Sequence, residues 1–219
     1  MEAINAMDTI HNDASISIMS SFAPNVNDTS ALLLNDSNNV PIRWGQKCNN
    51  SYYYSCNTGN RCERRYNKFC PSWGWADSLS SICGTTRAGC PAVAMAQIMR
   101  YWQWPHVAEI PISIDMNGNT SSTKQHRIYN WDNMPRAIYD NTPVEQADEI
   151  ALFLRDCGYA THTCYGYEGS GASVSNIRLA FENTFGYNVE GYITDSLSTK
   201  FIREIMAGRP IFFYGCNDD

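Results

Sequence analysis

The segment Cys90–Trp102 constrains the fold of this chain most strongly, because it predicts a helix that must be surrounded by protein. Pro91 suits the first helical turn, where its missing N–H costs nothing. Apolar side chains occupy almost the whole circumference of this helix: Val93, Ala94, Met95, Ala96, Ile98 and Met99. A helix without a polar face is buried, so the rest of the chain must enclose it.

The composition is that of a globular protein. The residues are 43% hydrophobic and 17% charged. The length of 219 residues suffices for one domain with a core or for two small ones. The net charge of −6 argues against a basic nucleic-acid surface, and the longest apolar runs are too short or interrupted to cross a bilayer. Residues 1–20 do not have the layout of a signal peptide. We therefore expect neither a nucleic-acid partner nor a membrane partner.

Nine cysteines form an odd set, so at least one thiol has no partner within the chain. Such a density is typical of secreted, disulfide-containing proteins. Setting Cys90 aside leaves enough cysteines for four bridges. Cys157 and Cys164 flank a short turn and are candidates for one of them, although Cys157 at a helix end also fits a buried thiol. No C-x-x-C pair occurs, so we expect no structural metal site.

The chain divides near Pro41. Residues 1–40 are rich in Asn, Asp and Ser without apolar periodicity, which predicts a disordered tail, a linker or the remnant of a pro-segment. Residues 41–219 form the predicted domain. Its first part, through Cys83, predicts long loops cross-linked by disulfides.

The remaining elements follow from local patterns. Three further helices are predicted at residues 144–156, 173–185 and 196–207, each followed by glycine within two residues. Strands are predicted at residues 110–115 and 209–214, and Asn117-Gly118 has the chemistry of a hairpin turn. Helices that precede strands in this order favour an α+β fold.

Cys90 is the candidate nucleophile. A thiol at a helix N-terminus faces unpaired backbone N–H groups, which stabilise the thiolate. The alternative is a buried structural cysteine or half of a disulfide.

The sequence around this cysteine, residues 88–99 followed by Tyr101 and Trp104-Pro105, resembles the catalytic-helix signature of the streptopain family of bacterial cysteine endopeptidases. Other segments match that family in the same order: Trp44-Gly45-Gln46, Tyr66-Asn67, Cys70-Pro71, and residues 129–134, 165–172 and 185–188.

The resemblance implies a papain-like fold, with a helical lobe that carries the nucleophile and a sheet lobe that carries the base. By position, Cys90 is the nucleophile, and Gln46 supplies a side-chain amide to the oxyanion hole together with the Cys90 N–H. Substrates would be proteins or peptides, and a pro-region or a similar inhibitor would cover the cleft. The family is secreted or located at the cell surface, and its chemistry needs neither a metal nor an organic cofactor.

The resemblance also places the catalytic imidazole beyond this chain. In the family it lies in a Gly-His-Ala segment after a strand like residues 210–214, and the chain ends at Asp219. The expectation is therefore an incomplete sheet lobe, an unpaired apolar strand at residues 209–214, and little or no turnover. His162 with Asn130 resembles a catalytic pair, but in the reverse of the family order. We interpret His162 as a surface residue and His106 as structural, while His11 lies in the tail and His126 lacks the family context.

A second hypothesis comes from a different class of protein. The chain would be a non-catalytic, disulfide-stabilised protein that keeps the helical lobe of a peptidase and binds peptides without cutting them.

Overall fold

The computed structural model describes residues 15–20, 41–46, 65–72, 85–139, 141–166, 169–193 and 199–214. Its helices are α1 (Cys90–Trp102), α2 (Val144–Ala160), α3 (Val174–Leu179) and α4 (Thr199–Met206). Its strands are β1 (Ser15–Ser20), β2 (Val107–Pro111), β3 (Lys124–Ile128), β4 (Cys164–Tyr165), β5 (Ser170–Gly171), β6 (Asn188–Ile193) and β7 (Ile211–Tyr214). Helices and small sheets combine in one chain, which confirms the α+β class.

Helix α1 is the centre of the core, as its sequence predicts, and its predicted bounds are confirmed. Its apolar side chains are buried or nearly so, with Met95 and Met99 fully enclosed. It packs against α2 on one side and contacts β7 on another. The helix ends where Gln103 turns left-handed at φ 51° and Trp104 N donates to Met99 O at 3.2 Å.

The three-stranded sheet has the order β6-β1-β7, and β1 pairs in parallel with both neighbours. Ser15–Ser20 thus forms a strand within residues 1–40, the segment predicted to be a disordered tail, a linker or the remnant of a pro-segment. The expectation of an unpaired apolar strand at residues 209–214 is wrong along one edge, because β7 pairs with β1 and Ile18 lies opposite Phe212. The six letters SISIMS alternate small polar with apolar residues, a two-residue period that polar flanks obscure.

The predicted hairpin is confirmed, with a shifted strand. Strands β2 and β3 pair antiparallel, and an isolated bridge between Ile114 and Thr120 closes the turn that contains Asn117-Gly118. The first strand begins at Val107 rather than Ile110.

Helix α2 continues through Gly158 to Ala160, although glycine in the sequence suggested an earlier end. A Cβ atom at Gly158 would lie 3.0 Å from Cζ of Tyr165 and would overlap its hydroxyl. Gly158 therefore provides room for the fully buried Tyr165 ring rather than ending the helix. Further along, Ser173 caps α3 because its Oγ accepts from Asn176 N, and the helix runs into a π-helical turn at Ala180–Thr184.

The four cysteines that the structure describes are all unpaired thiols: Cys70, Cys90, Cys157 and Cys164. The suggested Cys157–Cys164 bridge is therefore wrong, since Cys157 is buried in α2 while Cys164 is exposed on β4. Burial raises the pKa of the Cys70 thiol to about 12. Cys48, Cys56, Cys62, Cys83 and Cys216 lie outside the described residues. Within the described part of the chain, no helix has the length and apolar character needed to span a bilayer.

Candidate active site

Cys90 is the first residue of α1, and its side chain is exposed. The N-terminal turn of an α-helix has no intrahelical acceptors for its first N–H groups. Val93 N donates back to Gly89 O at 3.1 Å, and Pro91 has no N–H. The backbone N–H groups of Cys90 and Ala92 therefore remain without intrahelical acceptors beside the thiol.

Gln46 meets the residue immediately before Cys90. The backbone N of Gly89 donates to Gln46 Oε1 at 2.8 Å. This contact assigns the two ends of the side-chain amide, because exchanging oxygen and nitrogen would bring two donors face to face. The Nε2 group is thereby left as a donor near the helix entrance, the residues Ala88 and Gly89 that precede α1. The structure thus brings Gln46 and the Cys90 turn together.

The segment that carries Gln46 is fixed to the core by two long-range hydrogen bonds. Gln97 Nε2, on α1, donates to Trp44 O at 2.7 Å. Trp44 Nε1 donates to Pro135 O at 2.8 Å, and the indole is buried. The segment that carries Gln46 is therefore hydrogen-bonded to α1, the same helix that begins at Cys90. Gln97 lies within the motif around Cys90, but its role is visible only in the structure.

Asn67 was also missed as a functional residue. It is 7% exposed, and its amide spans the gap between the Gln46 segment and the residue before Gly89. The sequence signal was its place in the Tyr66-Asn67 motif, but only the fold shows what it touches.

Gly89 is required by geometry at this turn. Its φ is +93°, and a Cβ there would lie 2.9 Å from Ser170 O. The short β4–β5 hairpin thus approaches the backbone of the Cys90 turn closely, as only glycine permits.

The rings of the described histidines contact residues other than Cys90. His162 is exposed, and its Nδ1 lies 3.2 Å from Gly118 O. His126 Nδ1 lies 2.7 Å from Glu109 Oε1 on the surface of the β2–β3 hairpin. The His106 ring packs edge-on against Trp104. The interpretations of His162 as a surface residue and His106 as structural fit these contacts, and His11 lies outside the described residues.

A shallow pocket of about 250 Å³ lies beside the β2–β3 hairpin and includes His126 and Glu109. It contains neither Cys90 nor Gln46. The described side chains include no group of three or more His, Cys, Asp or Glu suited to hold a metal ion.

The chemistry of this arrangement is that of an exposed thiol among donors. A thiolate at Cys90 can attack a carbonyl carbon, and the negative charge that develops on the oxygen needs hydrogen-bond donors already in place. The backbone N–H groups at the start of α1 are donors beside the thiol, and the Gln46 side chain reaches the same turn through Gly89.

Comparison with known proteins gives a family match and several relatives. The Peptidase C10 family model matches residues 61–219. The thiol protease/hemagglutinin PrtT of Porphyromonas gingivalis is 30% identical over 140 residues, which are 59% of this chain and 16% of that protein. Streptopain of Streptococcus pyogenes is 23% identical over 143 residues, which are 58% of this chain and 36% of that protein. The chain thus spans well under half the length of these relatives.

Two solved structures were also found. A fragment of prointerpain A from Prevotella intermedia gives a TM-score of 0.46 at 25% identity, over 56% of this chain and 39% of that one. Active interpain A from the same organism gives 0.42 at 26% identity, over 56% of this chain and 50% of that one.

Proposed function

This chain belongs to the Peptidase C10 family, and on that premise we propose that it carries the nucleophile and the oxyanion hole of a cysteine endopeptidase. Cys90 is the proposed nucleophile. Gln46 Nε2 and the Cys90 N–H are the proposed oxyanion donors. The substrates are proteins or peptides, as the family implies.

The proposed reaction is acyl transfer through a thioester. Cys90 Sγ forms a bond to the substrate carbonyl carbon, and the carbonyl electron pair moves onto oxygen, where the two donors stabilise it. Collapse of this intermediate breaks the C–N bond, and the amine leaves with a proton from a general acid. Water then adds to the thioester, which releases the carboxylic acid and restores the thiol. Loss of one oxyanion donor typically costs about 3 kcal/mol in the barrier.

The observation that supports this proposal most is the 2.8 Å hydrogen bond from Gly89 N to Gln46 Oε1. It joins two residues that lie 43 positions apart, and because Oε1 accepts from Gly89, Nε2 is the part of the amide left to donate to a substrate oxygen.

We also propose little turnover for the 219-residue chain by itself. The support is that the rings of His106, His126 and His162 make their contacts elsewhere. Cysteine peptidases need an imidazole to hold the thiolate and to protonate the leaving amine. We also propose secretion or a cell-surface location, a bacterial source, and inhibition by a pro-region or a pro-region-like inhibitor. These points rest on the family alone.

A thiol-directed peptidyl epoxide tests the nucleophile. We expect mass spectrometry to find the label on Cys90 and not on Cys164, which is equally an exposed thiol but lies outside a helix N-terminus. Cys90→Ser should abolish labelling, and Cys164→Ser should leave it intact. Equal labelling of both thiols, or Cys90 found in a disulfide, would refute the assignment.

The non-catalytic peptide binder remains the second candidate, favoured by the same placement of the histidines. Its disulfide-stabilised form loses support because Cys70, Cys157 and Cys164 are unpaired. Peptide affinity that is unchanged by Cys90→Ser, together with no epoxide label on Cys90, would favour the binder.

A further inference from the structure

Asn67 joins the two segments that form the proposed oxyanion hole. Its Nδ2 donates to Gln46 O at 2.9 Å, and its Oδ1 accepts from Ala88 N at 3.0 Å. Both contacts are assigned by chemistry, since a flipped amide would face a carbonyl with its oxygen and an N–H with its nitrogen.

These two hydrogen bonds complete a closed ring. The Gln46 side chain accepts from Gly89, the backbone continues from Gly89 to Ala88, and Asn67 returns from Ala88 to the backbone carbonyl of Gln46. Gln46 is therefore held through its backbone and its side chain by the same helix entrance. A shift of its amide relative to Cys90 must stretch at least one of the three hydrogen bonds.

Asn67 itself is rigidly placed. Cys70 N donates to Asn67 O at 2.9 Å and closes the turn at residues 65–69. In the same turn, the Tyr66 hydroxyl donates to Arg43 O at 3.1 Å and accepts from Ile138 N at 3.0 Å. The turn is thus tied both to the Gln46 segment and to the core.

We propose that Asn67 is a positioning residue that fixes the Gln46 amide relative to the Cys90 N–H. The inference rests on the proposed oxyanion role of Gln46. Asn67 acts through Gln46 and Ala88 and does not touch the substrate. Its loss should weaken stabilisation of an oxyanion and leave the intrinsic reactivity of the thiol nearly unchanged.

Thr86 provides the matched control. It is fully buried in the same segment, and its N and Oγ1 donate to Pro71 O at 2.9 and 2.8 Å. The side chain of Thr86 thus anchors the helix entrance without contacting Gln46. Thr86→Val removes one buried hydrogen bond, and Asn67→Leu removes two, at nearly constant side-chain volume.

The experiment uses the full chain and two probes of Cys90. A peptide aldehyde adds to the thiol and places an oxygen in the oxyanion hole, whereas iodoacetamide reports only on the thiolate. We expect Asn67→Leu to weaken aldehyde binding about tenfold, a fraction of the loss of a whole donor, and to change the alkylation rate less than about twofold. Thr86→Val should change neither by more than about twofold.

Amide hydrogen exchange at Gly89 is the second readout, and Asn67→Ser is the second variant in case the leucine variant does not fold. Both Asn67 variants should speed exchange at Gly89 while leaving Ala160, at the far end of α2, unchanged. Slowed or unchanged exchange at Gly89 in a folded Asn67 variant would overturn the inference.

A double-mutant cycle with Gln46→Ala separates the two proposals. If Gln46→Ala leaves aldehyde binding intact, the oxyanion role of Gln46 fails. If Gln46→Ala weakens binding but Asn67→Leu does not, only the positioning role fails. The positioning role also fails if Asn67→Leu costs another tenfold in the Gln46→Ala background, or if Thr86→Val matches Asn67→Leu, because the effect would then not pass through Gln46.

Discussion

At the scale of single residues, Gly89 has both a backbone conformation that favours glycine and a hydrogen bond to Gln46 in the candidate site. Its φ of +93° is a conformation that other residues adopt only under strain, and Ser170 O occupies the space where a Cβ would lie. The same residue donates the hydrogen bond that orients Gln46. Conformation, packing and chemistry therefore all depend on this one glycine.

We expect Gly89→Ala to lower the free energy of unfolding by about 1–3 kcal/mol, the usual cost of forcing a side chain into such a conformation. The close contact with Ser170 O should also displace the Gly89 N–H from Gln46. Urea denaturation measures the first effect and peptide-aldehyde binding the second. Gly171→Ala is the control, since its Cβ would meet nothing within 4 Å. Equal loss of stability in both variants would contradict this account.

At the scale of elements, α2 shows how a tertiary neighbour decides the meaning of a residue. Glycine in a helix normally costs about 1 kcal/mol relative to alanine, which is why Gly158 suggested a helix end. The buried Tyr165 ring on β4 explains why glycine is nevertheless present within the helix.

Gly158→Ala should therefore destabilise the protein although alanine is the better helix former, by about 1–3 kcal/mol as for other overpacked cores. Tyr165→Phe removes the hydroxyl that the new Cβ would overlap. The double variant should recover most of the loss measured by thermal or urea unfolding. Additive losses in the double variant would show that the clash is not the cause.

The connection between α4 and β7 depends on a carboxylate. Glu204 Oε2 and Oε1 accept from Arg209 Nε and Nη2 at 2.5 and 2.8 Å. The hydrogen bonds from Arg209 lower the pKa of the Glu204 carboxyl below its ordinary value, more than desolvation raises it. Because the folded-state pKa is the lower one, the contribution to stability is fully present above the ordinary glutamate pKa and declines as the pH falls through the lowered value.

We therefore expect the wild-type chain to be more stable than Glu204→Gln near pH 6, and the difference to shrink as the pH falls below about 4. Urea midpoints measured for both proteins across this range test it. Glu182→Gln, in the exposed pair with Arg178, is the control and should show a smaller pH-dependent difference. A stability difference at Glu204 that grows on acidification would have the wrong sign.

At the scale of the whole molecule, the sheet is assembled from distant parts of the chain. Its central strand β1 comes from residues 15–20 and separates β6 from β7. The strand at residues 211–214 is therefore paired with β1 along one edge, and it is the last strand in the order of the described sheet.

Ile18→Pro tests this assembly, because proline removes one backbone donor from the central strand. We expect amide exchange in β6 and β7 to become faster, on the order of tenfold for one lost hydrogen bond, and exchange within α1 to stay unchanged. Val144→Pro, at the first position of α2 where proline is tolerated, should alter neither sheet strand. Unchanged exchange in β7 after Ile18→Pro would show that β1 does not support it.

The resemblance to the streptopain family is confirmed by the family match over residues 61–219. This resemblance was visible in the sequence because the motif around Cys90 is one continuous segment of the chain. The division at Pro41 stays a prediction, and the labelling and binding experiments test the roles of Cys90 and Gln46.

The sequence by itself determined the buried helix α1, its bounds and the cysteine at its N-terminus, because Pro91 and the apolar circumference are local properties. It also determined the hairpin turn and the α+β order of elements. Only the tertiary structure decided that Ser15–Ser20 pairs with β7, that Gly158 accommodates Tyr165, and that Asn67 joins the Gln46 segment to the Cys90 turn. Each of these depends on a contact between residues far apart in the chain or on the shape of a neighbour, and local pattern contains neither.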